Sequence, residues 1–175
     1  MFTPSIMIKK LSSNRYFVIG LQIVLFIALY WGVRSYTQRD LVQNRPPEIN
    51  APLISGEVYQ LQQANPSPRL LHFWATWCGI CSLEQDSIES LSKDYPIITI
   101  AMQSGENKEL QQFMRDEKLT FPVISDSNGQ IASQFGVKAV PVSFILNHQG
   151  EIVFTESGFT SSWGLRARLW LANYF

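Results

Sequence analysis

The chain has 175 residues, 46% of them hydrophobic and 16% charged, with 14 basic residues balanced by 14 acidic ones. That size supports one packed core with room for an appendage. The balanced charge, without a long basic run, argues against a nucleic-acid partner.

The appendage comes first. From Tyr16 to Val33 the only strongly polar residue is Gln22, and as a helix this stretch reaches about 27 Å, close to the thickness of a hydrocarbon core. A cleavable signal would have a shorter apolar region and a small-residue cleavage site, whereas this run ends Tyr30-Trp31-Gly32-Val33-Arg34. A buried core helix would show a polar face. The pattern therefore predicts an uncleaved transmembrane signal anchor over residues 16–33, with Tyr16, Tyr30 and Trp31 at the interfaces and residues 1–15 as an arm that charge assigns to the cytoplasm only weakly. Basic residues give little orientation, because Lys9, Lys10 and Arg15 before the span face Arg34, Arg39 and Arg45 after it.

Residues 34–50 are polar, contain Pro46-Pro47 and lack an apolar period, so they read as a linker, with the folded domain over 51–175. A short leading hairpin is expected around Gly56, and Asn65-Pro66-Ser67-Pro68 breaks the chain before a buried strand at Leu70–Thr76. A helix from Ile80 to Lys93 follows, then a strand at Ile97–Ala101, a helix over Glu106–Lys118, a strand at Phe121–Ile124 and a short helix over Gln130–Phe135. Val142–Leu146 and Glu151–Thr155 pair as a hairpin. A last helix, Thr160–Leu171, is expected to use Trp163, Leu165, Leu169 and Trp170 as apolar anchors. Alternating strands and helices ending in a hairpin and a helix describe an α/β fold with a mixed central sheet flanked by helices.

The only two cysteines, Cys78 and Cys81, lie at the start of the first of these domain helices. Two thiols so spaced can close a disulfide within one turn. A helix N-terminus favours a thiolate at Cys78, the expected nucleophile, while Cys81, one turn in, is shielded and acts as the resolving thiol. A zinc site would need two more suitably spaced ligands, and the only histidines are His72 and His148. An inert structural disulfide fits poorly, since so short a loop constrains the unfolded chain little.

The segment Phe73-Trp74-Ala75-Thr76-Trp77-Cys78-Gly79-Ile80-Cys81 resembles the active-site segment of the thioredoxin superfamily. With Glu84 three residues after the second cysteine, it is similar to the membrane-anchored TlpA/ResA branch of bacterial thiol-disulfide oxidoreductases, and within it to the suppressor-of-copper-sensitivity protein D type. The resemblance covers about residues 51–175, and the helix at 106–118 with its following strand matches an insertion of that branch. It implies a thioredoxin-like fold, a redox-active Cys78–Cys81 disulfide, protein thiol or disulfide substrates, and a membrane or extracytoplasmic redox donor. It implies no cofactor and no metal, and it places the domain outside the bacterial inner membrane, facing the periplasm. Because Gly79-Ile80 lacks a histidine that would strongly stabilise the thiolate, a reductase is expected. A copper(I)-handling thiol protein, a disulfide oxidase or isomerase with the same site, and a peroxide reductase are the alternatives.

The resemblance also marks supporting residues. Trp77 flanks the pair. Val140-Pro141 matches the family's cis-proline, which would present the Val140 backbone to an incoming peptide; an ordinary trans proline at a strand start is the other reading. Glu84 either tunes the dithiol, since a carboxylate near a thiolate raises its pKa, or lies on a solvated helix face. His72 stands where thioredoxin has a buried aspartate that accepts the resolving thiol's proton. It could accept that proton near pH 7 and leave the thiolate unopposed, or be a satisfied core histidine.

Overall fold

A computed structural model describes residues 5–63 and 66–175. Residues 1–4 of the expected arm and Asn65 of the proline-rich break lie outside the described residues. The chain forms two compact units, residues 1–39 and 40–175.

The first unit is helix α1, Ser5–Gln38. Within it Arg15–Val33 is apolar, with mean hydropathy 2.1, and none of it is buried in the protein. By length and composition this segment is able to cross a membrane. The helix continues through the first residues of the expected linker.

The second unit is built on a five-stranded mixed sheet. Strands β3 (Arg69–Trp74), β4 (Ile97–Met102), β5 (Val123–Asp126), β6 (Val142–Leu146) and β7 (Ile152–Ser157) are ordered β5-β4-β3-β6-β7. β3, β4 and β5 are parallel, whereas β6 runs antiparallel to both β3 and β7. Strands β1 (Asn50–Pro52) and β2 (Val58–Gln60) form the small leading hairpin.

The side-chain period of two sorts each strand between two cores. Leu71, Phe73, Ile100, Val142 and Phe144 face one side, where Phe135, the C-cap residue of helix α5 (Gln130–Gln134), packs against them. The Phe73 ring centroid lies 5.2 Å from Phe135 and 5.8 Å from Phe144. Leu70, Trp74, Ala101 and Ile145 face the other side. There they meet α2 (Gly79–Ser82), α3 (Gln85–Ser92), α4 (Asn107–Asp116) and α6 (Ser162–Leu171), which a 3-10 turn (Ala172–Tyr174) follows. Each fully buried large apolar side chain contributes about 1.5–3 kcal/mol.

Three expectations need correction. Residues 40–50 are not a free tether. Leu41 and Ile49 are buried in the first core, the Val42 amide donates to Phe135 O at 3.1 Å, and Asn44 bridges Ile152. Isolated apolar residues in a polar stretch show no period, so this strap leaves no sequence pattern. Trp163 and Trp170 do not anchor α6, since Trp163 is 82% exposed and Trp170 is also exposed, while Leu165, Leu169 and Ala172 are buried. At 100° per residue the two tryptophans fall together on the side opposite that buried stripe. The helix that follows the cysteines is broken at Leu83-Glu84, where the Leu83 and Glu84 amides bond three residues back to Ile80 and Cys81.

Candidate active site

The motif sits where β3 ends. The Thr76 amide donates to Ser104 Oγ at 3.0 Å, and Trp77 Nε1 donates to Gln103 O at 3.0 Å, so the loop after β4 holds the approach to the cysteines while the Trp77 ring stays exposed. Cys78 caps α2 with extended backbone, its sulfur accepting from the Cys81 amide at 3.2 Å. The two cysteines are joined as a disulfide with their Cα atoms 5.2 Å apart.

The pair is asymmetric. Cys78 is half-buried and its sulfur lies 3.6 Å from the Val140 carbonyl oxygen, whereas Cys81 is buried in the second core beside Trp74 and Ile88. The bond between Val140 and Pro141 is cis. Cys78 is therefore the less buried of the two sulfurs and lies beside the Val140 backbone, while Cys81 is buried.

Glu84 is not on a solvated face. The break between α2 and α3 turns it inward, where it is 2% exposed, and one carboxylate oxygen accepts from the Thr160 amide while the other has no partner. Burial pushes its carboxyl up to about 7, with the Thr160 bond opposing that rise.

His72 is 2% exposed on β3, on the same face as Leu70 and Trp74 and thus on the side where Cys81 packs. Its Nδ1 is 2.9 Å from Ser143 Oγ on the neighbouring strand. Burial lowers its pKa to about 4. The ring is neutral at physiological pH and a weak base there, which corrects the expectation that it accepts a proton near pH 7.

The structure thus gathers Trp77, Cys78, Cys81, Glu84, Val140 and Pro141 at one end of the sheet, with His72 beneath. Ser104, Ser143 and Thr160 complete the arrangement and were missed. They are single small polar residues in loops or on a strand, and only the tertiary fold brings them to their partners.

A family model for the AhpC/TSA family matches residues 42–155. The chain belongs to the AhpC/TSA family. Its relatives include a "Thioredoxin-like protein" of Haemophilus influenzae, 28% identical over 96% of this chain and 98% of the relative. Another is the thiol-disulfide oxidoreductase ResA of Oceanobacillus iheyensis, 27% identical over 82% of each. Among solved structures, StoA from Bacillus subtilis superposes with a TM-score of 0.61 at 27% identity, over 70% of this chain and 96% of StoA. Family, fold and the bonded cysteines agree: this AhpC/TSA member is a thiol-disulfide oxidoreductase with a Cys78–Cys81 pair.

Proposed function

We propose that the chain is a membrane-tethered disulfide reductase whose domain lies on the extracytoplasmic side, with α1 as the anchor, protein disulfides as substrates, and a membrane or extracytoplasmic thiol donor that re-reduces it. The observation that carries this reading is the asymmetry of the pair, one sulfur half-buried beside Val140 and the other buried in the second core.

In the reduced protein the Cys78 thiolate attacks one sulfur of a substrate disulfide. A mixed disulfide forms and the first substrate thiolate leaves. The Cys81 thiol gives its proton to ionised Glu84 and attacks the Cys78 sulfur, which releases the second substrate thiolate and closes the Cys78–Cys81 bond. Two electrons pass to the substrate. A carboxyl poised near 7 suits such a proton carrier, since the best acid–base groups titrate near the working pH. Val140 and Trp77 line the approach to Cys78. His72, neutral and buried, adds no negative charge that would oppose the thiolate. The direction rests on Gly79-Ile80, which supplies no cation to stabilise the reduced form strongly.

The test is trapping. Cys81→Ser should accumulate a mixed disulfide with substrate and Cys78→Ser none, and equilibration with glutathione should give a potential below that of glutathione. Trapping through Cys81 would reverse the roles, and a potential well above glutathione would make the protein an oxidant. A reporter fused after Phe175 that is active only in the cytoplasm would overturn the outward placement.

A further inference from the structure

The opposite end of the sheet carries a second cluster that dithiol exchange does not use. Arg69 opens β3, five residues before Trp74, which puts it about 16 Å from the end where the disulfide sits. With Arg45, Gln62, Gln63, His148 and Glu151 it lines a cavity of about 570 Å³ between the strap, the end of the leading hairpin and the β6–β7 turn.

Arg69 is only 5% exposed. Its Nη2 donates to Gln63 O at 3.0 Å and its guanidinium bonds Tyr59, yet its Nε is buried without a partner. Among the described residues no carboxylate pairs with it. A buried guanidinium without a counter-charge is destabilising, and natural proteins pair such groups. The rim does not supply the missing charge. Glu151 is 3.9 Å from Arg45, and both side chains are largely solvated. His148 Nδ1 lies 2.6 Å from the Pro66 carbonyl, which can only accept, so Nδ1 carries the proton. Counting Arg69, Arg45 and Glu151, the cavity holds a net positive charge.

We propose that this cavity binds a phosphate group, with the Arg69 guanidinium as its buried anchor and Arg45 and His148 closing on it from the rim. Phosphate oxygens accept strongly from guanidinium N–H groups, and the cationic excess favours a dianion over a monovalent carboxylate. The phosphate comes either free or as the headgroup of a larger molecule, and both present the same oxygens.

The full chain in neutral detergent micelles, titrated calorimetrically at constant ionic strength with inorganic phosphate, glycerol 3-phosphate and acetate, decides the matter. Saturable one-to-one binding of a phosphate compound, at least tenfold tighter than acetate and at least tenfold weaker in Arg69→Met, is the expected result. Tighter binding of glycerol 3-phosphate than of inorganic phosphate identifies a headgroup as the ligand, and the reverse order identifies the free ion. Arg69→Met should fold at least as stably as the parent in phosphate-free buffer, because an apolar chain replaces an unpaired buried charge. Absent binding, acetate binding of equal strength, or an unchanged Arg69→Met overturns the site. Should Arg69→Met fail to fold, the rim variant Arg45→Gln with His148→Gln carries the test, with at least threefold weaker phosphate binding expected and unchanged binding overturning the proposal.

Discussion

At the scale of single residues, the site depends on two buried ionisable groups moved in opposite directions. Burial disfavours whichever form carries charge, so it lifts the Glu84 carboxyl to about 7 and drops the His72 imidazole to about 4. The carboxyl becomes the group able to exchange a proton at neutral pH. His72 instead keeps the face near Cys81 uncharged, which gives a direct expectation for His72→Asp. A carboxylate there disfavours the Cys78 thiolate, destabilises the reduced protein wherever that thiolate is its ionised form, and moves the potential in the reducing direction. Each unit by which the Cys78 pKa rises is worth about 1.4 kcal/mol, or roughly 30 mV for a two-electron couple. Equilibration with glutathione, together with the pH dependence of Cys78 alkylation, measures both quantities. If neither moves, His72 is a packed core residue and nothing more.

At the scale of elements, the strap over residues 40–49 and the break between α2 and α3 do most to shape the domain beyond its sheet. The strap requires Gly136, whose φ is +70° and where an added Cβ would lie 1.8 Å from the Asp40 carbonyl oxygen. Gly136→Ala is therefore expected to lower stability by about 2 kcal/mol, from backbone strain and displacement of the strap together. A lower urea midpoint with an unchanged redox potential is the expected signature, because the site lies elsewhere. An unchanged midpoint would mean that the strap contributes little. Most elements were legible from periodicity, the hairpins and buried strands above all, because alternation and β-branched runs report directly on a sheet face. The strap was not, since Leu41 and Ile49 are isolated apolar residues whose burial depends on a distant surface. The break at Glu84 was equally hidden. Its flanks carry good helix formers, and the bond from the Thr160 amide that helps hold the carboxyl inward comes from a loop 76 residues away. The cysteine pair and Pro141 were readable because chemistry restricts both residue types to few settings. Arg69, a charged residue at the head of an apolar strand, was visible in the sequence and drew no functional reading, because its lack of a counter-charge appears only once the strand is buried.

At the scale of the whole molecule, the two buried groups set how stability depends on pH, and the signs can be worked out from linkage. The folded pKa of Glu84 is raised from 4.5 to about 7. Between those values the folded state holds a proton that the unfolded chain has released, so the stabilisation is full below about 4.5 and is lost as pH rises through 7. The folded pKa of His72 is lowered from 6.5 to about 4. Over that interval the unfolded chain holds the extra proton, so the stabilisation is present above 6.5 and is lost as pH falls through 4. Where the intervals overlap, from about 4.5 to 6.5, the two slopes oppose each other and the profile of the oxidised protein is shallow. Single substitutions should expose each slope. Glu84→Gln keeps an acceptor for the Thr160 amide but removes the titration, leaving stability that rises with pH across the overlap. His72→Asn keeps a hydrogen-bonding group for Ser143 and leaves stability that falls with pH there. A group that differs by one bound proton between the folded and unfolded states gives a slope of about 1.4 kcal/mol per pH unit, and each slope stays below that where the occupancies differ by less. Urea unfolding of the oxidised parent and both variants at half-unit pH intervals measures the differences, which also cancel the background from other carboxylates. Parallel profiles for all three proteins would show that neither group changes its proton occupancy on folding, and the assignment of Glu84 as the proton carrier would fall with that result.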